Sequence, residues 1–250
     1  MASPLIGSAP RRRWLVALAA LVVVTLTARL GFWQLDRAAQ KLAIGAQLAT
    51  QSQKAPVTEV DLARSAAEPD VDSWVGRPAV LRGQWVVGST VWLENRQMGG
   101  RPGFFATSVL RLAASDAGVL VQQGWVARDP SDRTRVPQLT LPPGEVIVHG
   151  RMAPPPSRLY DFGGEDRGLL RQNLDLASRG TELGLPLLGL SVMQSALAGP
   201  DPQDPLLRDW PVPTVDVHKH HGYAFQWFAL SALTAGLYVW FQIIRPRRRR

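Results

Sequence analysis

The chain contains no cysteine. That absence excludes disulfide frameworks, zinc–thiolate and iron–sulfur centres, and thiol catalysis. Methionine is also scarce, at four residues, too few for a methionine-rich copper(I) site. Common catalytic motifs are missing as well: no Gly-rich phosphate loop with a Lys, no GxSxG turn, no HExxH helix. No internal repeat is found. Glu165–Asp166 follow Gly163–Gly164 and read as a solvated turn, not an acid/base pair. His149 stands alone in a strand pattern, as a structural histidine does. No catalytic residue is assigned, and the chain is expected not to be an enzyme.

The interior also lacks net charge. The 250 residues hold 28 Lys and Arg against 20 Asp and Glu, a net charge of +8. Arg11, Arg12 and Arg13 near the start, and Arg245 with Arg247–Arg250 at the end, account for eight basic residues. Without those eight, 20 basic residues face 20 acidic ones. No excess remains to line a nucleic-acid groove, so no nucleic-acid partner is expected.

Present instead are two apolar runs. Trp14–Trp33 covers 20 residues with one charge, Arg29, and Gly222–Ile244 covers 23 with none. At about 1.5 Å per residue, 20 residues span roughly 30 Å, the thickness of a bilayer's hydrocarbon core. Trp14 and Trp33 bracket the first run; Tyr223 and Trp227 lie near one end of the second, Tyr238 and Trp240 near the other. Such placement suits membrane interfaces. A cleaved export signal is the competing reading of the first run, but Leu26 is a poor residue three before the cleavage point and the helical pattern continues as WQLDRAAQKLAIGAQL. The arginine tails, 1–13 and 245–250, place both termini on the cytoplasmic side by the positive-inside rule. Residues 34–221 then form one extracytoplasmic domain between transmembrane helices 14–33 and 222–244.

Within that domain, Arg77–Trp85, Thr90–Gln97, Phe104–Leu112, Gly118–Ala127 and Glu145–Met152 are short segments rich in Val, Trp, Phe and Leu. Gly and Pro clusters separate them, at 99–103, 114–118 and 141–144. The pattern predicts a mainly antiparallel sheet or barrel. Asp175–Gly184 reads as a short helix ending at glycine, Leu187–Met193 as a last strand, Ala153–Asp166 as a loop and Gly199–Pro213 as an extended linker.

Two clusters share one membrane level. Trp33, Gln34, Arg37 and Lys41 mark the outer end of the first helix; His220, Tyr223, Gln226 and Trp227 mark that of the second. Arg29, Trp33, Arg37 and Lys41 recur every four residues, giving either a solvated basic stripe or an anion-binding one. His218, His220 and His221 suit either interfacial anchoring or ligation of heme iron, copper or zinc. If the helices pair, His220 faces an aromatic and basic wall. That combination suits a flat, apolar, anionic ligand: iron to His, macrocycle to Trp, carboxylates to Arg and Lys.

These residues carry a resemblance. LGFWQLDRAAQK (Gly31, Trp33, Gln34, Arg37, Lys41), GRPAVLRGQW (Gly76, Arg77, Gly83), NRQMGGRPGFFAT (Asn95, Arg96, Pro102, Gly103, Phe104, Thr107), GWV (Gly124, Trp125, Val126) and HHGYAFQWF (His220, Tyr223, Ala224, Trp227, Phe228) occur in that order. Together they resemble the surfeit locus protein one (Surf-one) family of cytochrome c oxidase assembly factors, over about residues 30–243. Gln122–Gln123 depart from the family's Asn-Arg, Ser108 from its proline, and His218–Lys219 from its Asn-rich pair. The resemblance implies a two-pass protein of a bacterial inner membrane, with a periplasmic β-rich domain. It implies partnership with the oxidase's catalytic subunit, possible contact with heme a synthase, and heme a as ligand. The cofactor-binding set would be His220, Tyr223, Trp227, Trp33, Gln34, Arg37 and Lys41, with His220 on the iron. Two other readings stand beside it: a cofactor-free scaffold for oxidase subunits, and a copper carrier using the His cluster.

Overall fold

The computed structural model describes residues 9–65, 73–160, 168–195, 204–210 and 217–248; of residues 9–12 and 65 it describes the backbone alone. The side chains of Arg11 and Arg12, all of Arg249 and Arg250, the Glu165–Asp166 turn and part of the 199–213 linker lie outside the described residues. The chain forms two compact units, residues 1–45 with 212–250, and residues 46–211.

The first unit holds the two apolar helices. Helix α1 (Ala9–Ser52) is 44 residues long, so the expected span continues unbroken well past Trp33. Helix α4 (Val217–Val239) starts before Gly222, placing the His cluster in its first turns; a π-helical turn (Trp240–Ile244) follows. Both helices are long and apolar enough to cross a membrane. Their outward faces carry Leu18, Leu21, Leu26, Phe225 and Leu233, all exposed. Lipid would cover such a surface, whereas water would penalise it.

The less exposed residues of α1 alternate in steps of three and four: Ala17, Ala20, Val24, Thr27, Gly31, Gln34, Ala38 and Lys41. Val217, His220, Ala224, Trp227, Ser231, Thr234 and Tyr238 do the same on α4. A seven-residue period keeps one seam of a helix on its partner. Small residues let the backbones approach. Gly31 packs against Phe228, and a Cβ there would lie 2.7 Å from the ring. Phe32 meets the same ring edge-on at 5.1 Å. Ser231 Oγ donates to the Val24 carbonyl at 3.1 Å, a polar tie between the two apolar helices.

The second unit is built on seven strands: β1 (Pro78–Trp85), β2 (Val91–Met98), β3 (Arg101–Leu112), β4 (Gly118–Ala127), β5 (Glu145–Ala153), β6 (Leu170–Arg171) and β7 (Leu187–Gln194). Their order is β1-β5-β7-β4-β3-β2-β6, and β1 also pairs with β3. That extra pairing closes β1, β5, β7, β4 and β3 into a five-stranded ring. An odd ring cannot alternate direction all the way round. The sheet is mainly antiparallel, as expected, but not wholly so: β7 runs antiparallel to β5 and parallel to β4. The two-residue β6 adds a second parallel pairing, to β2.

Inward residues alternate along each ring strand: Ala79 and Leu81, Leu110 and Leu112, Val119 and Val121, Val148 and Met152, Leu190 and Val192. Val57 and Leu62, the latter from helix α2 (Glu59–Ser65), join this core. Leu120 and Val109, on the opposite face, pack with Leu174 and Leu185 around helix α3 (Leu176–Leu183). Asp175 caps α3, accepting from the Ser178 N–H at 2.9 Å, and Gly184 ends it at φ +60°.

Strand β3 is long enough to serve two neighbours on one edge. Its far end pairs with β1, its near end with β2. Ser89 fills the gap between them: buried, it accepts the Val109 N–H on Oγ at 2.9 Å, where a strand carbonyl would otherwise stand. Ser89→Ala leaves that N–H without a partner. The expected loss is about 1–3 kcal/mol, measured as a lower denaturation midpoint.

Two segments differ from the sequence expectation. The 99–103 punctuation is a tight hairpin at Gly99 and Gly100, with φ +57° and +75°, and β3 already begins at Arg101. Paired positive φ values make the two-residue turn that suits the strand twist. The described part of the proline-rich linker belongs to the sheet: Leu207 exchanges two backbone hydrogen bonds with Trp125, both 2.8 Å. Pro205 favours an extended backbone there, and Leu207 retains both groups that a strand edge needs.

Candidate functional site

The helix pair brings together two of the residues expected at its outer end. His220 Nδ1 lies 2.7 Å from Gln34 Oε1. A carboxamide oxygen only accepts, so Nδ1 carries the proton. In the neutral ring the other nitrogen, Nε2, then keeps its lone pair, the form in which imidazole ligates a metal. Gln34 thus holds the ring by an outer hydrogen bond and fixes its tautomer.

The remaining expected residues divide between the seam and the outward faces. Lys41 and Trp227 lie half-buried along the seam. Trp33 and Tyr223 are each 50% exposed, and Arg37 is exposed. Arg37 stacks on Trp33 with its guanidinium carbon 5.8 Å from the ring centroid, and donates to Gln40 Oε1 at 3.2 Å. Among the described residues no hydrogen bond or ring contact joins Trp33, Arg37 or Tyr223 to His220. Nor do three His, Asp or Glu side chains gather to hold a metal ion among the described residues.

The motif residues of the β domain have another character. Asn95 takes φ +57° at a bulge in β2 and accepts from Arg128 at 2.8 Å. Beside it, Arg96 is buried and donates to the Ser157 carbonyl at 2.8 Å and the Gln172 carbonyl at 3.0 Å. Burial lowers its pKa from the usual arginine value. The Trp125 ring is fully buried and its Nε1–H donates to the Arg96 carbonyl at 2.9 Å. Gly103 lies flat against that ring, where a Cβ would come within 2.5 Å of it. Arg77 donates to the Ala55 carbonyl at 2.9 Å and stacks over Trp74. These residues join segments of one domain, which gives a packing reason for each.

Sequence reasoning missed an ion cluster in which two buried arginines meet one exposed carboxylate. Arg171 grips Glu182 with two bonds, 3.1 and 2.9 Å, and Arg179 adds a third at 2.6 Å. Hydrogen bonds from Arg171, then Arg179, hold the Glu182 carboxyl down at about 2. A depressed carboxylate pKa stabilises the fold above the ordinary value and loses that contribution as pH falls. The stabilisation should therefore fade from about pH 4.5 towards pH 2. Glu182→Gln is expected to flatten this part of the acid-unfolding profile, read as melting temperature from pH 6 to pH 3. The sequence signal was two arginines and one glutamate, 171, 179 and 182, in and before a short helix.

The architecture defines a class of protein: two terminal apolar helices flanking one small mixed-sheet barrel, with a polar histidine–amide contact in the helix pair. The chain belongs to the SURF1 family, whose model matches residues 21–232, most of the chain. That family is associated with cytochrome c oxidase assembly. The match runs from within α1, through every strand, into α4. No curated protein matches the chain.

Proposed function

We propose that this chain is an assembly factor that receives heme a at the outer end of its helix pair and presents it to the catalytic subunit of cytochrome c oxidase. The observation that carries the reading is the His220–Gln34 contact, which leaves Nε2 free to ligate iron. The surrounding side chains suit heme: Trp33, Trp227 and Tyr223 offer flat apolar faces, Arg37 and Lys41 offer cations for its carboxylates. Heme a is cargo here, supplied by its synthase and passed on. No bond in it need be made or broken, which is consistent with a non-catalytic role.

The proposed setting is a bacterial inner membrane crossed by α1 and α4. Arginine-rich tails anchor both termini in the cytoplasm, and the barrel stands in the periplasm. The apolar outward faces of both helices support insertion. The test is the absorption spectrum of the purified full chain from cells that make heme a. Bound heme in the wild-type chain, lost in His220→Ala, is the expected result; a heme signal unchanged by that substitution overturns the ligand assignment.

The cofactor-free scaffold is favoured by a separate observation, that most motif residues lie in the β domain and hold it together. Under that reading, oxidase assembly survives His220→Ala but fails when the Asn95–Phe104 hairpin is disrupted.

A further inference from the structure

The barrel interior is apolar along most of its length but becomes polar at one mouth. On β4 the inward series runs Val119, Val121, Gln123; on β7 it runs Leu190, Val192, Gln194; on β3 it runs Leu112, Leu110, Ser108. Gln123 is the extra residue of a bulge, because Thr107 pairs with Gln122 and Ala106 with Gly124. Bulges re-aim side chains in this way. Ser108 donates to its Oε1 at 2.8 Å. Trp85 and Val146 complete the layer from β1 and β5.

This layer lines a cavity of about 420 Å³, whose wall also includes residues 138–142, 204–206 and Arg208. That volume falls in the range of ligand sites. Among the described residues, two of its polar atoms are buried without a partner: Gln194 Oε1, an acceptor, and Arg208 Nε, a donor. The Arg208 side chain is only 10% exposed, and its charge is met by Asp204 at 2.7 Å. The cavity is thus formally neutral, with no described His, Lys, Met or Tyr in its lining. Neither a free anion nor heme iron finds a counterpart there. An amide group, carrying one donor and one acceptor, does.

The backbone makes the same demand. Strand β5 pairs with β1 over Glu145–Arg151, but with β7 only from Gly150 onward. Ser195 N–H still reaches the His149 carbonyl, so His149 turns its backbone groups to the β7 side. Ladder bonds alternate, so Ile147 turns its N–H and C=O to that same side. No backbone bond meets them among the described residues. Across the mouth, β4 already binds an extended segment through Leu207.

We propose that this mouth is a strand-addition site that takes an extended, uncharged polypeptide segment of the oxidase subunit being assembled. The segment pairs with β5 at Ile147, whose outward backbone groups are unpaired among the described residues, and lays a side chain over Trp85, among Gln123 and Gln194. Backbone pairing supplies affinity and the cavity supplies selectivity. The client's identity rests on the assembly-factor reading above; the strand-addition site does not.

The test places photo-reactive benzoylphenylalanine at Gln138, on the cavity rim, in the full chain in its native membrane. The expected result is a cross-link to one contiguous, non-helical segment of an oxidase subunit, kept in Ile147→Ala and at least tenfold weaker in Ile147→Pro. Proline removes the N–H but breaks no bond to β1, since that N–H faces away from it. If Ile147→Pro does not fold, hydrogen exchange decides in the wild-type chain: the 145–149 amides should slow at least tenfold in the isolated complex. Absence of a cross-link, equal cross-linking in a folded Ile147→Pro, unchanged exchange, or a cross-link only to residues 196–203 of the same chain overturns the proposal. The cross-link is expected unchanged in His220→Ala, which separates this site from heme binding. A segment from a protein outside the oxidase, with the same proline sensitivity, keeps the site and overturns its client.

Discussion

Trp125→Ala is expected to remove most of the β domain's stability. The ring is fully buried between β3 and β4, flat against Gly103, with the Arg101 guanidinium 5.5 Å from its centroid. Truncating a buried tryptophan to alanine costs about 3–5 kcal/mol. The Arg96 carbonyl also loses its donor, adding roughly 1–3 kcal/mol. Against a total of about 5–15 kcal/mol for a typical domain, little remains. Trp125→Phe separates the two effects, keeping most of the apolar ring but not the N–H. Urea unfolding of the full chain in detergent, followed by near-ultraviolet circular dichroism, should place Phe between wild type and Ala. Equal stability of the wild-type and Ala chains would show that the ring is not the keystone its burial implies. Oxidase assembly retained in Trp125→Phe would assign the residue to packing alone.

If the chain receives heme a on His220 as proposed, Gln34→Leu should weaken that binding about 10–100-fold, the usual penalty for losing the outer partner of a ligating histidine. His220→Ala should abolish it. The two substitutions act differently. Leucine leaves the ring in place but no longer holds the proton on Nδ1, so the ligating nitrogen is no longer specified. Titration of heme into the purified chain, read by absorbance, gives both values. Gln34→Leu with wild-type affinity would mean that the contact is a packing hydrogen bond between helices and carries nothing of the ligand. Alanine at position 34 should behave like leucine, whereas Gln34→Glu should keep an acceptor and bind nearer wild type.

Much of this architecture was legible before any coordinates. The strand expectation for 118–127 coincides with β4, and that for 77–85 differs from β1 by one residue. Those segments alternate cleanly or run apolar between Gly and Pro, and local pattern decides them. Closure of the ring was not legible, because the β1–β3 pairing joins Gly83 to Leu112 and leaves no trace in either segment alone. The parallel direction of β7 was hidden for the same reason. Pro102 argued for a loop at 99–103, yet β3 runs through it: Pro102 turns its carbonyl, and so its nitrogen, away from Gln97 towards β4, where the ladder ends at Gly103–Ala127. In the helix pair, spacing brought out His220 and Gln34 separately at one membrane level. Their contact depends on seam register, which 3.6-residue periodicity places only to within a turn. The amide layer at the barrel mouth was written in VLVQQ and LSVMQ as a change from apolar to polar in one alternation. It acquires meaning only once the strands stand side by side.

The five-stranded ring also sets a timetable. Strand β7 is the seventh to leave the ribosome, yet it lies between β5 and β4. Until Leu187–Gln194 has been made, both of those edges stay open. Leu207, which seals β4 at Trp125, follows later still. Contacts between residues so distant in the chain form slowly, because the intervening loop must first be closed. Arriving chains therefore spend their early life as an incomplete barrel with two adhesive borders. For this family member, vulnerability to mispairing is concentrated in the interval before its last strand arrives. Substitutions that delay β7 should then reduce the amount of mature protein more than its final stability.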